Sequence, residues 1–188
     1  NEYSSNGADI NSQREFKNQL VNAKASVKVR SDVTLNARYS QAHDEQLADE
    51  PPSAWATIDN HFNTKTDEYE LNGKWDFRPN QNILVGVTGS QAEFDSNTIT
   101  NNIQKVDTIG YYAQHQYNSD KLNTQVGVRL EDNDQFGSHT VGQAAARYHV
   151  NPSTSVYANI GSAFRAPTLT ELYSQWGGNT ELQPEESV

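Results

Sequence analysis

The chain has 188 residues, 34% of them hydrophobic, with no Cys, no Met and a formal net charge of −10. The missing cysteines exclude disulfide and thiolate–metal chemistry. The acidic balance leaves no basic patch to neutralise phosphates, so nucleic acid is excluded as a partner. A mean hydropathy of −0.85, without an 18-residue apolar run, excludes a transmembrane helix. Such polarity suits either disorder or a sheet in which only every second residue meets an apolar phase. Nine Tyr, six Phe and three Trp at periodic positions favour the sheet. The chain starts without Met and stops at Val188 just after a strand-opening signal, so it is expected to be a piece of a longer protein.

Residues 1 to 15 are polar and read as a loop. Val21, Ala23, Ala25, Val27 and Val29 then alternate with Asn22, Lys24, Ser26, Lys28 and Arg30, the period-two pattern of a strand with one apolar face. After a tight turn at Arg30-Ser31-Asp32, the residues Val33, Leu35, Ala37 and Tyr39 make a second apolar row. Residues 42 to 61 read as a long excursion with Pro51, Pro52 and the acids Asp44, Glu45, Asp49, Glu50 and Asp59, and no Lys or Arg. The next strand sets Tyr69, Leu71, Gly73, Trp75 and Phe77 against Glu70, Asn72, Lys74, Asp76 and Arg78. That charged face does not suit the core of a small soluble barrel, where each unpaired buried charge costs several kcal/mol. A water-filled or plugged lumen accepts it.

Pro79-Asn80-Gln81 turns into Ile83, Val85 and Val87, with a loop near residues 95 to 102. Ile109, Tyr111, Ala113, His115 and Tyr117 follow. After Ser119-Asp120-Lys121 come Leu122, Thr124, Val126, Val128 and Leu130, and residues 131 to 137 are expected as a loop. Ala144, Ala146, Tyr148 and Val150 lead to a turn at Asn151-Pro152-Ser153. Val156, Ala158, Ile160, Ser162 and Phe164 return on one face. The eight strands form four hairpins, with short turns near residues 31, 80, 120 and 152 on one side and longer loops on the other. The fold expected is all-β, an antiparallel transmembrane β-barrel segment. Tyr39, Trp75, Phe77, Tyr117 and Tyr148 are expected near the short-turn ends as an interfacial girdle.

Pro167 fixes φ and biases Ala166 to extended geometry, so the strand ending Phe164-Arg165 must turn a corner. A helix-capable run, a Gly177-Gly178-Asn179 turn and a strand-opening Pro184 follow. This pattern resembles the TonB-dependent outer-membrane receptors of Gram-negative bacteria. In those, a Phe-Arg-Ala-Pro corner leads to Asn-x-x-Leu-x-Pro-Glu, here Asn179 to Glu185. Residues 131 to 140 look like the Asp-Asn-x-Gln-Phe-Gly-x-His segment of the cobalamin-receptor branch, and residues 173 to 179 resemble that branch's Leu-Tyr…Tyr-Gly-Asn run. Heme receptors carry a His after the corner, and residues 168 to 178 contain none.

The resemblance implies a 22-stranded barrel with an N-terminal plug, of which residues 1–188 supply about eight strands and the plug is absent. The partners it implies are cobalamin or another bulky chelate, TonB through the plug, and outer-membrane lipid. Siderophore or heme uptake is the nearest alternative, and a structural or adhesive barrel is the reading from another class. No zinc-like His spacing, phosphate loop or nucleophile elbow appears, so no enzyme is expected. Candidate ligand-binding residues are Asp132, Asn133, Tyr173, Trp176 and Asn179; Tyr173 and Trp176 fit a ligand cover and an interfacial belt equally. Cobalamin receptors bind calcium through Asp residues of early extracellular loops. That resemblance makes Asp44, Glu45, Asp49 and Asp59 calcium candidates, and a solvated acidic loop is the plainer alternative.

Overall fold

Alternating apolar and polar residues, rich in Val, Tyr and Thr, dictate long strands, and hairpin turns dictate that neighbours pair. The computed structural model describes residues 13–49, 60–99, 103–174 and 177–188. It contains β1 (Gln13–Arg30), β2 (Val33–Asp49), β3 (Asn60–Arg78), β4 (Gln81–Ser96), β5 (Ile103–Asn118), β6 (Leu122–Asn133), β7 (Gly137–Asn151) and β8 (Thr154–Gly161). The short β9 (Ala163–Arg165), α1 (Leu169–Tyr173) and β10 (Glu185–Ser187) follow. The first eight strands form one sheet in sequence order, every neighbour antiparallel. No helix among the described residues is long and apolar enough to cross a membrane, which says nothing about crossing by strands.

Register puts the alternating apolar rows of β1 to β8 on one face. A single row runs from Ala25 through Ala37, Leu71, Val87 and Tyr111 to Leu130. Leu71, Val85, Val126, Val156 and Ile160 stand exposed on that face, an apolar wall that water would penalise at roughly 25 cal/mol per Å² and lipid would not. Trp75 and Phe77 lie with ring centroids 5.7 Å apart, and Phe77 lies 6.0 Å from His115, near the short turns. Trp75 Nε1 donates to Asp32 Oδ2 of the first turn at 3.0 Å. Tyr39 does not belong to this girdle. It pairs with Tyr69, centroids 5.2 Å apart, at the opposite edge of the apolar band. Tyr69 and Phe77 are separated by roughly 26 Å of strand, enough for a tilted crossing of a band ~25 Å tall to be edged by aromatics.

The strands continue past the point where alternation stops. β1 begins within the stretch expected to be a loop, and β2 carries Asp44, Glu45 and Asp49 as strand residues. Glu131, Asp132 and Asn133 likewise belong to β6, leaving only residues 134–136 as the turn. Beyond the apolar band polar and apolar residues mix on both faces, with Phe16 and Leu20 on one and Leu47 on the other, so hydropathy carries no strict period there, yet the backbone still demands its hydrogen bonds.

A second difference concerns Ser162 and Phe164. The Ser162 N–H donates to the Gly142 carbonyl at 2.9 Å, and its Oγ accepts from the Gly142 N–H at 2.9 Å. This irregularity separates β8 from β9 as a bulge does and inverts the side-chain alternation. Phe164 therefore leaves the apolar face of Val156 and Ile160 and stacks on His139, which lies on the other face.

Candidate functional site

The polar face carries two hydrogen-bonded groups, one joining β1, β2, β3 and β5 and the other joining β4 and β6. Ser26 Oγ donates to Asn36 Oδ1 at 2.6 Å, and Asn36 Nδ2 donates to Asn72 Oδ1 at 2.7 Å. Glu70 accepts from Arg38 Nε at 3.0 Å, from Asn72 Nδ2 at 3.2 Å and from the Tyr112 hydroxyl. Arg129 Nε donates to Glu131 at 2.9 Å and its Nη2 to Thr88 Oγ1 at 2.9 Å.

Two glycines make this reach possible. Tyr112 of β5 passes over Gly86 of β4 to meet Glu70 on β3, and a Cβ at Gly86 would overlap the Tyr112 ring. Arg129 of β6 passes over Gly110 of β5 to meet Thr88 on β4, and a Cβ there would overlap its guanidinium. With Gln114, Gln116 and Gln125 linked below them, these side chains give a charged but internally satisfied wall. Such a face suits a polar lumen or a packed polar partner.

At the loop end, the corner is built from its own sequence. Thr168 caps α1: its Oγ1 accepts from the Glu171 N–H at 3.2 Å, while the Glu171 carboxylate accepts from the Thr168 N–H at 2.8 Å, a full capping box. Arg165 Nη2 donates to Glu171 at 2.8 Å and Nη1 reaches Glu185 of β10 at 3.5 Å. The Thr168 N–H, then Arg165 and the Thr168 hydroxyl, hold the Glu171 carboxyl down at about 2. Leu172 is buried, and Ser174 bridges to Ile99 of the β4–β5 connection, so the corner folds back onto that loop. Gly178 closes the turn where a Cβ would strike the Ser174 backbone.

The predicted segments do meet. Gln135 Nε2 of the β6–β7 turn donates to the Tyr173 hydroxyl of α1 at 3.2 Å, and His139 touches Phe164 and Glu186. Asp132 and Asn133, however, point to opposite faces of β6. Asp132 accepts from Ser138 Oγ at 2.7 Å, while the buried Asn133 shapes the turn by accepting from the Gln135 and Phe136 N–H groups at 3.0 and 3.1 Å. Asn179 accepts from the Glu181 N–H at 2.9 Å and is exposed. Trp176 lies outside the described residues.

Of the calcium candidates, Asp44 and Glu45 are strand neighbours that face opposite sides, and Glu45 pairs with Lys17 at 3.1 Å. Two carboxylates so placed do not converge on one ion. The Asp49 side chain and Asp59 lie outside the described residues, and among those described no group of three or more His, Asp or Glu gathers as metal ligands would. Sequence reasoning missed Tyr112, Arg129 and the two glycines beneath them. Their signal was a Gly at a polar-face position beside a long polar residue on the next strand.

The sequence model of the family described as TonB dependent receptor-like, beta-barrel matches residues 1–188. The chain belongs to that family. As a TonB-dependent receptor barrel it is an integral protein of the Gram-negative outer membrane, in a family of transport receptors. It is 32% identical over 132 residues to the vitamin B12 transporter BtuB of Photobacterium profundum, an alignment covering 70% of this chain and 20% of that protein. It is 40% identical over 63 residues to the vitamin B12 transporter BtuB of Vibrio cholerae, covering 34% and 10%. The chain thus spans about a fifth or less of the curated relatives it matches. Among solved structures it superposes on the copper transporter OprC (TM-score 0.71, 15% identity, 91% of this chain and 36% of that one). It also superposes on the siderophore receptor PirA of Acinetobacter baumannii (TM-score 0.68, 14% identity, 96% and 32%). At those identities the superpositions show the fold alone.

Proposed function

We propose that this barrel wall belongs to a receptor that imports cobalamin or a related corrinoid with TonB-derived energy. The observation that carries the reading is the 32% identity over 132 residues to a protein named as a vitamin B12 transporter. The contact between the 131–140 hairpin and the corner supports it, because the two segments that resemble the cobalamin branch sit together at the loop end. In this reading the loop-end surface around Tyr173 and Asn179 meets the cargo, and the Glu70–Tyr112–Arg129 wall faces the lumen. The chain's own residues bind and orient; no bond is made or broken.

The test is equilibrium binding of cyanocobalamin to the purified full-length receptor, with and without calcium, and with heme and a ferric siderophore as competitors. Tight binding that neither competitor displaces is expected. No cobalamin binding under either calcium condition, with saturable siderophore or heme binding, would overturn the substrate and leave the receptor architecture.

A further inference from the structure

His139, near the loop end of β7, joins three elements. Its ring stacks on Phe164 of β9, centroids 3.9 Å apart and planes at 18°. Its Nδ1 lies 3.1 Å from Glu186 Oε1 on β10, and its Nε2 lies 3.0 Å from the Phe136 carbonyl oxygen in the β6–β7 turn. Both partners are acceptors only. A neutral imidazole carries one N–H and can satisfy one of them; the imidazolium donates to both.

The other charges near the ring are already engaged. Glu131 is the register partner of His139 on β6, on the same face, and is held by Arg129 at 2.9 Å. On β9 and β10, Arg165 is engaged by Glu171 and Glu185, leaving Glu186 to the imidazole. Asp132 and Ser138 bond each other on the opposite face. The His139 side chain is only 19% exposed and Glu186 is 70% exposed, so of the two acceptors Glu186 is the one that water can take over when the imidazole is neutral.

We propose that His139 is a protonation-dependent clasp. As the imidazolium it pins the β6–β7 turn to the corner strand and to β10 at once. On losing a proton it keeps one anchor and drops the other, and the turn is freed from the corner. Gln135 of the same turn holds Tyr173, so release also loosens the seat of α1. The clasp goes beyond the substrate reading and holds whatever the cargo.

Hydrogen–deuterium exchange of the ligand-free full-length receptor tests it. Exchange is followed from about pH 5 to pH 8.5, bracketing the range in which an unperturbed imidazole changes charge, with rates corrected for intrinsic exchange. Peptides spanning residues 134–140 and 164–174 are expected to be several-fold better protected at the acid end. H139F keeps an aromatic ring on Phe164 but has no N–H for either acceptor; its protection should be independent of pH and no higher than the native alkaline level. E186Q, which keeps the shape of the partner and removes its charge, should shrink the pH dependence. Equal protection at both ends in the native receptor would overturn the clasp, as would a pH dependence that survives in both variants.

Discussion

The smallest features of the sequence that decide geometry are two glycines. Gly86 and Gly110 leave open the space in which Tyr112 and Arg129 lie across a neighbouring strand. Gly86→Val should expel Tyr112 from Glu70 and lower the stability of the receptor by about 1–3 kcal/mol, the usual cost of overpacking. Gly89, with nothing within 4 Å of a built Cβ, is the control: Gly89→Ala should leave the denaturant midpoint nearly unchanged. Equal effects would contradict this account of the wall. The capping box offers a second test at this scale. Thr168→Ala should cost about 0.5–2 kcal/mol, seen as faster amide exchange confined to α1. Glu171 has its carboxyl lowered from 4.5 to about 2, so its stabilising contribution is complete above the ordinary glutamate range. It is lost as pH falls from there through about 2. Acid should loosen α1 in that window, and Glu171→Gln should remove the window.

At the scale of single elements, the bulge at Ser162 changes which way a strand faces. Cysteines at Val156 and Ile160 should react with a lipid-soluble maleimide in the assembled receptor, while one at Phe164 should not. Labelling at Phe164 equal to that at Ile160 would place β9 back in the alternation of β8. The strands of the apolar band were legible because lipid on one side and polar lumen on the other impose a strict period of two. Tyr69 to Phe77 show it without a break. The extensions of β2, β3 and β6 were not legible, because at Asp44, Glu45 and Asp132 both faces meet a polar environment and only backbone pairing keeps the chain extended. The inversion at Phe164 was hidden for another reason. A bulge depends on where one backbone N–H finds its partner, here Ser162 on Gly142, and an apolar residue on each side of it leaves the hydropathy pattern intact. The corner motif announced the joint of the candidate site, but its union with the Asp134–Gln135–Phe136 turn is a tertiary contact that no spacing records.

The whole piece is a wall with two different faces and little interior of its own. Among the described residues the buried apolar side chains, Ala48, Phe94, Ile99 and Leu172, belong to the loop end rather than to the membrane-spanning part, where lipid stands in for a core. A charge on the outer face should therefore be costly. Val126→Arg, set in the apolar band, is expected to destabilise the folded barrel by about 2–4 kcal/mol near the midplane. Gln125→Arg, one residue away on the polar face, should cost much less. The most direct measurement of the central claim is a spin-label scan along β6, residues 122 to 130, in the full-length receptor in a lipid bilayer. Labels at Leu122, Thr124, Val126, Val128 and Leu130 should show high oxygen accessibility, and labels at Asn123, Gln125, Gly127 and Arg129 low, in strict alternation. An absent period, or one of opposite phase, would contradict the assignment of the two faces and with it the reading of this sheet as an outer-membrane receptor wall.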